Sequence, residues 1–343
     1  MTDPYTQLYA GTRPADGTRR AAEHTVITGV GLAFPGLRSV GDLLTSRPPP
    51  DGFDPATELK GREMRNKDRA SRLALHAAEQ ALDDAGLLDG KGRLRDTADG
   101  PGSDTAVVVS SNLGSLRTVC DFTDTIARET VTGLSPLGLP QTSSNVVAGW
   151  VAIRHGLRGP NLTVCNGATG GLDAVHWARN LIVAGRCRRA VVVGVEPAGE
   201  HADKLLGVPT TDVACAVVLE PAAASSVRRP AGYARLWAYV RGATLASTVE
   251  AAESLAPAPV GLRLTDGPAP PARVPSPEPG ADLTGMDLTT RLGPCSGALG
   301  VLQAAVGAVH TRTHGTKAVL ALGGGADTDD AAAALLLTGA DTE

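Results

Sequence analysis

The chain has 343 residues, of which 42% are hydrophobic, enough for one large domain or two fused ones. The formal net charge is -4, and Lys and Arg are scattered among acidic residues, which argues against nucleic acid as a partner. Aromatic residues make up 3% and Gly numbers 41, a composition that favours an α/β interior over base-stacking or sugar-binding platforms.

The five cysteines are an odd number at wide spacing, without a Cys-x-x-Cys pair or a His/Cys cluster at metal-ligand spacing. The sequence therefore predicts reduced thiols in the cytoplasm, with no metal and no other cofactor. Residues 1–24 are polar and lack the apolar core of a signal peptide, and no run of 18 apolar residues occurs. We expect a disordered tail over residues 1–24 and no membrane partner.

The first half of the chain alternates strands with helices. A strand from His24 runs into a Gly-rich turn, and an amphipathic helix is predicted over residues 69–87. Strands are predicted at residues 104–111 and 162–165, the second leading into a helix over 171–184. The next strand spans 189–196. Uninterrupted β-branched runs that alternate with helices predict parallel strands buried on both faces.

The second half begins after a strand at residues 213–220. Residues 255–279 are dense in Pro, Ala and Gly, which predicts a long loop or linker. A Gly/Ala-rich helix is predicted over 296–309, and a strand from Ala318 runs into a Gly loop. The apolar run 331–337 fits either a strand or a helix.

Several short segments, taken in order along the chain, form a specific pattern. They are residues 26–31, 53–56, 68–75, 81–87, 135–140, 152–164 and 171–174, together with Asn145. In this order they resemble a β-ketoacyl synthase, specifically the ketosynthase and chain-length-factor branch of type II polyketide synthases. The resemblance is strong between residues 25 and 222 and thin beyond.

The resemblance implies an α/β chain with the thiolase-like αβαβα five-layer fold and a shortened C-terminal half. It places an N-terminal half at residues 25–222 and a C-terminal half at 223–343, the latter containing the Pro-rich loop 255–279. Proteins of this fold associate through an edge strand of the N-terminal half, which is residues 162–165 here.

The family attacks an acyl thioester with a cysteine at the start of a buried helix, where backbone N–H groups favour the thiolate. That cysteine lies three residues before a Gly-Leu-Asp-Ala segment. In this chain the position is Ala168, within Val164-Cys-Asn-Gly-Ala-Thr-Gly-Gly-Leu-Asp-Ala174. A methyl group cannot attack a thioester, so the resemblance predicts loss of the nucleophile.

Two catalytic histidines of the family are also absent. The first belongs to a His-Gly-Thr-Gly-Thr loop, and the Pro-rich stretch 255–279, which has no histidine, stands in its place. His314-Gly-Thr lies too late along the chain to replace it. The second belongs to a Gly-His-x-x-Gly-Ala-x-Gly turn that aligns with residues 293–300, where Pro294 replaces the histidine. Condensation by this chain alone is therefore not expected.

The resemblance then implies a catalytically inactive, chain-length-factor-like subunit that pairs with an active ketosynthase homologue and meets an acyl carrier protein transiently. The gate-bearing segment of the family carries over onto four residues, which with Ala168 are the candidates for shaping the acyl pocket. These four are Ser135, Leu137, Leu139 and Gln141. Glu196 aligns with a glutamate that the family commonly holds in a hydrogen-bond network.

Other readings stay open. The chain could be an acyltransferase or hydrolase with relocated chemistry at Cys295 or Cys165, although Cys165 at the end of an apolar strand is expected to be a buried structural residue. It could also be a purely scaffolding third subunit or a homodimeric acyl-binding protein. A basic cluster over residues 62–69 is either a solvated face or a docking surface for an acidic carrier or the partner subunit.

Overall fold

A computed structural model describes residues 25–45, 49, 51–95, 102, 104–222, 232–267 and 284–340. The predicted tail at residues 1–24 and residues 268–279 of the predicted Pro-rich loop lie outside the described residues. The strands are β1 (Thr25–Ala33), β2 (Thr105–Ser110), β3 (Asn161–Val164), β4 (Arg189–Glu196), β5 (Val213–Pro221), β6 (Ala234–Gly242), β7 (Leu262–Thr265), β8 (Thr284–Asp287), β9 (Ala318–Gly324) and β10 (Ala332–Thr338).

The α-helices are α1 (Pro55–Glu58), α2 (Arg69–Asp84), α3 (Leu116–Glu129), α4 (Val146–His155), α5 (Gly170–Val183), α6 (Glu200–Leu206), α7 (Leu245–Ser254), α8 (Leu288–Leu292) and α9 (Leu299–His314). Helix α2 begins where the Asp68 carboxylate accepts a hydrogen bond from the Ser71 backbone N–H, and it ends just before Gly86, whose φ is +69°. The predicted helix over 69–87 is thus confirmed.

The ten strands of the described chain form one sheet in the order β3-β2-β4-β5-β1-β6-β10-β9-β7-β8. Read from its far edge, the second group runs β8-β7-β9-β10-β6, which repeats the order β3-β2-β4-β5-β1 of the first group. The groups meet where β1 and β6 pair antiparallel. This repeat supports the division into two halves at residue 222, which stays a prediction.

The predicted parallel strands at residues 104–111, 162–165 and 189–196 are confirmed, because β2 lies parallel to β3 and β4. The next strand, β5, pairs antiparallel with both β4 and β1. The predicted burial is right for β2 and β4, in which every residue is buried, and wrong for β3 at the edge of the sheet, whose residues are exposed or half-buried. A continuous apolar run indicates that both faces of a strand are buried. It does not indicate whether the strand is parallel or antiparallel to its neighbours.

Helices cover the sheet in layers. Helices α2 and α4 pack on the outer face of the first group of strands, and α7 packs on the outer face of the second. Helices α5 and α9 lie between the two groups and contact strands of both. The resulting sequence of layers is α, β, α, β, α, as the resemblance implied.

The two central helices touch through glycines near their N-termini. A Cβ atom added to Gly300 would lie 2.3 Å from the Leu172 nitrogen, and one added to Gly171 would lie 2.6 Å from the Gly300 nitrogen. Real Cβ atoms do not approach backbone this closely, so both positions need glycine. The crossing brings the beginnings of α5 and α9 together.

Two predictions for the second half are corrected or settled. The loop predicted over 255–279 contains β7, which pairs with β8 and β9 and is buried along its whole length. The alternation Leu-Arg-Leu-Thr in this segment is typical of a strand, but the surrounding prolines obscured it. The buried Arg263 of β7 is paired with Glu253. Residues 331–337, assigned to either a strand or a helix, form β10.

Gly300→Ala is expected to lower the free energy of unfolding by about 1–3 kcal/mol, because the methyl group would collide with the backbone of α5. Gly149→Ala in α4 is the matched control, since a Cβ there meets nothing within 4 Å. That change is expected to be neutral or to stabilise by about 0.5–1 kcal/mol. Urea unfolding of both variants measures this, and equal effects would contradict the close helix crossing.

Candidate functional site

Two turns that lead into the central helices face each other. Residues Gly167–Thr169 form a 3-10 turn before α5, and Ser296–Ala298 form one before α9. Each begins with a residue in the left-handed region, Gly167 with φ +64° and Ser296 with φ +39°. A serine in this conformation is strained, and such strain persists only where the surrounding contacts impose it.

The side chain of Asn112 joins the two turns. Its Nδ2 donates to the Gly167 carbonyl at 3.1 Å and to the Ser296 hydroxyl oxygen at 2.9 Å. Its Oδ1 accepts from the Gly167 N–H at 3.2 Å. One carboxamide therefore fixes the separation of the two turns across the junction of the halves.

Glu196, at the end of β4, joins the loop after β2 to the turn before α9. Its carboxylate accepts from the backbone N–H groups of Asn112 at 2.6 Å, Leu113 at 2.9 Å and Gly297 at 3.0 Å, and from the Ser111 hydroxyl at 3.3 Å. We call this set the Glu196 clamp. Burial raises the pKa of Glu196 to about 7, while these hydrogen bonds pull it down. The predicted hydrogen-bond network is confirmed.

Asp173 anchors the turn before α5. Its carboxylate accepts from Asn166 Nδ2 at 2.5 Å and from the Thr169 hydroxyl at 2.8 Å. The Tyr239 hydroxyl of β6 donates to the same carboxylate, and Arg241 lies 3.6 Å from it. Strand β6, which belongs to the second group of strands, thereby helps to position the turn before α5.

The two turns open onto a cavity of 560 Å³, which we call the central pocket. The structure brings three predicted positions together here: Ala168, Pro294 and Cys295. The lining residues are Ala168, Val208, Pro209, Asp266, Thr289, Gly293, Pro294, Cys295, Ser296 and Leu299.

Asp266 is a pocket residue that sequence reasoning missed. It directly follows β7, within the segment that stands where the family's first catalytic histidine loop is expected. The Leu-Arg-Leu-Thr alternation before it was the available signal, because a residue at the end of a buried strand is well placed to reach a site.

Comparison with known proteins agrees with this architecture. The family described as "Beta-ketoacyl synthase, N-terminal domain" matches residues 47–206. The ishigamide ketosynthase/chain length factor superimposes with a TM-score of 0.69 at 21% identity, covering 92% of this chain and 99% of that one. Residues 47–206 are therefore similar to the N-terminal domain of β-ketoacyl synthases, and the chain as a whole has the thiolase-like fold.

A second solved ketosynthase has the same fold. AntDE:AntF, a type II PKS acyl-carrier protein in complex with its ketosynthase bound to the hexaketide, gives a TM-score of 0.74 at 17% identity. It covers 92% of this chain and 99% of the matched chain. The thiolase-like fold implied by the sequence is confirmed.

Curated members of the superfamily match over shorter stretches. 3-oxoacyl-[acyl-carrier-protein] synthase 2 of Rhizobium meliloti is 32% identical over 138 residues, 40% of this chain and 31% of that protein. The putative polyketide beta-ketoacyl synthase 2 of Streptomyces virginiae is 30% identical over 184 residues, 46% of this chain and 43% of its own length. The chain thus matches less than half the length of these relatives.

The central pocket has few groups able to do acyl chemistry among the described residues that line it. Ala168 and Pro294 carry no nucleophile, acid or base, and no histidine is among the described residues that line the pocket. Cys295 lines it but is 1% exposed, and burial raises the pKa of its thiol to about 12. A thiolate is the reactive form, so this environment disfavours nucleophilic attack.

Cys165 differs from the prediction that it is buried, because its side chain is exposed. The strand before it, β3, lies at the edge of the sheet and therefore has only one neighbouring strand to cover it. Its pKa is raised by partial burial and by the Glu196 carboxylate. Cys165 is not among the residues that line the central pocket.

The four predicted gate residues lie in and just before a 3-10 turn at Pro136–Thr142. Leu137 is 68% exposed and Leu139 is 52% exposed. Gln141 is buried and donates to the Asn66 carbonyl at 2.9 Å. None of these, nor Ser135, lines the central pocket, so a role in an acyl pocket remains a prediction for the assembled complex.

Within the described part of the chain, no group of three or more His, Cys, Asp and Glu side chains is arranged to hold a metal ion. A search of those same residues finds no helix with the length and apolarity needed to span a membrane.

Because its pKa is raised, Glu196 is expected to contribute a fall in the free energy of unfolding as the pH rises from about 4.5 to about 7. Its pKa is about 7 in the folded chain against 4.5 ordinarily, so between these values the folded state binds more protons than the unfolded state. Ionisation then costs up to about 1.4 kcal/mol per pH unit. His155 and His176, whose pKa values burial lowers to about 4, contribute the opposite slope, so the test is a difference between variants. Glu196→Gln should remove the Glu196 contribution to the pH dependence measured by urea unfolding, and the exposed Glu250→Gln should leave the pH dependence unchanged. An unchanged slope in Glu196→Gln contradicts the assignment.

Thiol reactivity tests the burial of the cysteines. In the native chain alone, Cys165 should react quickly with Ellman's reagent, and the buried Cys187, Cys215 and Cys295 should react only after unfolding. Cys165→Ala should remove one fast thiol, and Cys295→Ala should remove none. Fast loss of a native signal in Cys295→Ala would show an accessible, activated thiol and contradict the structure.

Proposed function

We propose that the chain is a catalytically inactive, chain-length-factor-like subunit that pairs with an active ketosynthase in a type II polyketide or fatty-acid-like synthase. The observation that carries this proposal is the central pocket. Ala168 and Pro294, which the resemblance aligns with the nucleophile and one catalytic histidine, both line this pocket. Neither side chain can act as a nucleophile, an acid or a base, and this supports the proposed loss of activity.

An exposed edge of the sheet supports the pairing. Strand β3 has β2 on one side and no strand of the described chain on the other. Helices α4 and α5 flank it and carry Ile153, 67% exposed, and Trp177, 54% exposed, while Leu162 on β3 itself is 37% exposed. Unpaired strand edges flanked by large apolar side chains favour association through strand addition.

A homologous ketosynthase suits this edge, because it would present the same strand in a two-fold arrangement. An inactive copy can then occupy one side of the dimer and wall the acyl pocket of its partner. Leu137 and Leu139, which are exposed in the single chain, are the side chains proposed to contribute to that wall.

Transient contact with an acyl carrier protein is part of the proposal. In the predicted basic cluster, Arg62 and Arg65 are exposed, whereas Arg69 is paired with Asp212 and Lys67 lies over the ring of Trp150. The two exposed guanidinium groups are therefore the candidates for contact with an acidic carrier.

The alternative, acyl transfer or hydrolysis by relocated cysteine chemistry, rests on one observation. Cys295 lines the central pocket. Its burial and raised pKa argue against it, and acyl transfer that disappears in Cys295→Ala would favour it.

The test is co-expression with an active type II ketosynthase from the same genome, followed by mass determination and a malonyl-carrier condensation assay. We expect a heterodimer that is active only when both chains are present. Trp177→Lys should weaken the complex at least about tenfold, because it places a charge in an apolar interface. Leu255→Lys is the matched control, since Leu255 is 52% exposed but lies on α7's side of the sheet, distant from β3.

Three outcomes would contradict the proposal. The first is condensation by this chain alone. The second is a condensing ketosynthase whose activity and mass are unchanged by adding this chain. The third is equal weakening of the complex by Trp177→Lys and Leu255→Lys, which would remove the β3 edge as the interface.

A further inference from the structure

The central pocket has the size and lining of a small-molecule site. Its volume of 560 Å³ falls within the range of about 300–1,000 Å³ that is usual for ligand pockets. Half of its lining residues are apolar, and among all those described as lining it, Asp266 alone bears a formal charge. The apolar ones are Ala168, Val208, Pro209, Pro294 and Leu299.

The Asp266 carboxylate is fixed in place by the sheet. It follows β7, and its Oδ2 accepts a hydrogen bond from the Gly324 N–H at the end of β9, at 2.9 Å. The bond holds the carboxyl group between two strand ends. A group positioned by backbone in this way is preorganised for recognition.

The surroundings of Asp266 are electrostatically negative. Burial raises the pKa of its carboxyl, and the nearby carboxylates of Asp329 and Asp287 act in the same direction. Glu196 and Asp287 likewise raise the pKa of the Cys295 thiol on the pocket wall. Four carboxyl groups therefore act on one pocket whose described lining contains no Lys or Arg.

The other polar side chains of the pocket are already engaged. The Thr289 hydroxyl donates to Asp287 at 2.7 Å, the Ser296 hydroxyl oxygen accepts from Asn112, and the Cys295 thiol donates to the Gly293 carbonyl at 3.4 Å. Asp266 is thus the polar group best suited to select a ligand.

We propose that the central pocket binds a small, largely apolar molecule that carries a protonated amine, with Asp266 as its counter-ion. The apolar wall accommodates the hydrocarbon part, and the carboxylate together with the surrounding negative charge favours the ammonium group. The same charge disfavours a carboxylate, including the free carboxylate of a malonyl group. This inference goes beyond the partner role and does not depend on it.

Three probes of equal chain length test the proposal: hexylamine, hexanol and hexanoate, each titrated into the full chain by calorimetry at neutral pH. We expect hexylamine to bind at least tenfold more tightly than hexanol, and hexanoate to bind most weakly. Equal binding of hexylamine and hexanol, or preference for hexanoate, overturns the proposal.

Asp266→Asn should weaken hexylamine binding at least tenfold and leave hexanol binding within about twofold. Asp327→Asn is the matched control, because it removes the same charge from an exposed position in the loop after β9 that does not line the pocket. Equal losses of amine binding in both variants would attribute the selectivity to overall charge and overturn the assignment of Asp266.

Ala168→Phe provides a second variant at another residue that lines the pocket. It should fill the pocket and reduce binding of hexylamine and hexanol alike, with Asp266 intact. Unchanged hexylamine binding in a folded Ala168→Phe protein would place the amine elsewhere and contradict the proposal. None of these titrations involves a ketosynthase, so their failure is distinguishable from failure of the proposed partner role.

Discussion

The structure depends on the Glu196 clamp. Its one carboxylate receives three backbone N–H groups, two from the loop after β2 and one from Gly297 in the turn before α9. Buried N–H groups without partners are costly, and here a single side chain satisfies three at the junction of the halves. Asn112 then links the two turns from the front.

The clamp works together with the helix crossing. Gly171 and Gly300 let α5 and α9 approach backbone to backbone, which sets the beginnings of both helices side by side. Asp173 ties the turn before α5 to β6 of the other half. The central pocket lies beside this crossing and is lined by residues of both turns, Ala168 and Ser296.

Sequence reasoning predicted most strands and helices because their apolar runs and glycine stops are local signals, as for α2 and β4. It failed on β7 among the prolines and on the exposure of Cys165, both of which depend on neighbours distant in the chain. The junction of Ala168 with Pro294 came from a resemblance and not from periodicity. Asp266 was missed because the prolines around β7 obscured the alternation of the strand that places it at the pocket.

The groups that hold the junction differ from those that the superfamily uses for chemistry. Glu196, Asn112, Asp173 and the two glycines make structural contacts, whereas Ala168 and Pro294 face the pocket. A change at a pocket-facing position removes reactivity without breaking a bond of the scaffold. The loss of nucleophile and histidine that we propose for these positions is therefore compatible with a retained fold, and among the described lining residues of the remaining cavity Asp266 carries the charge.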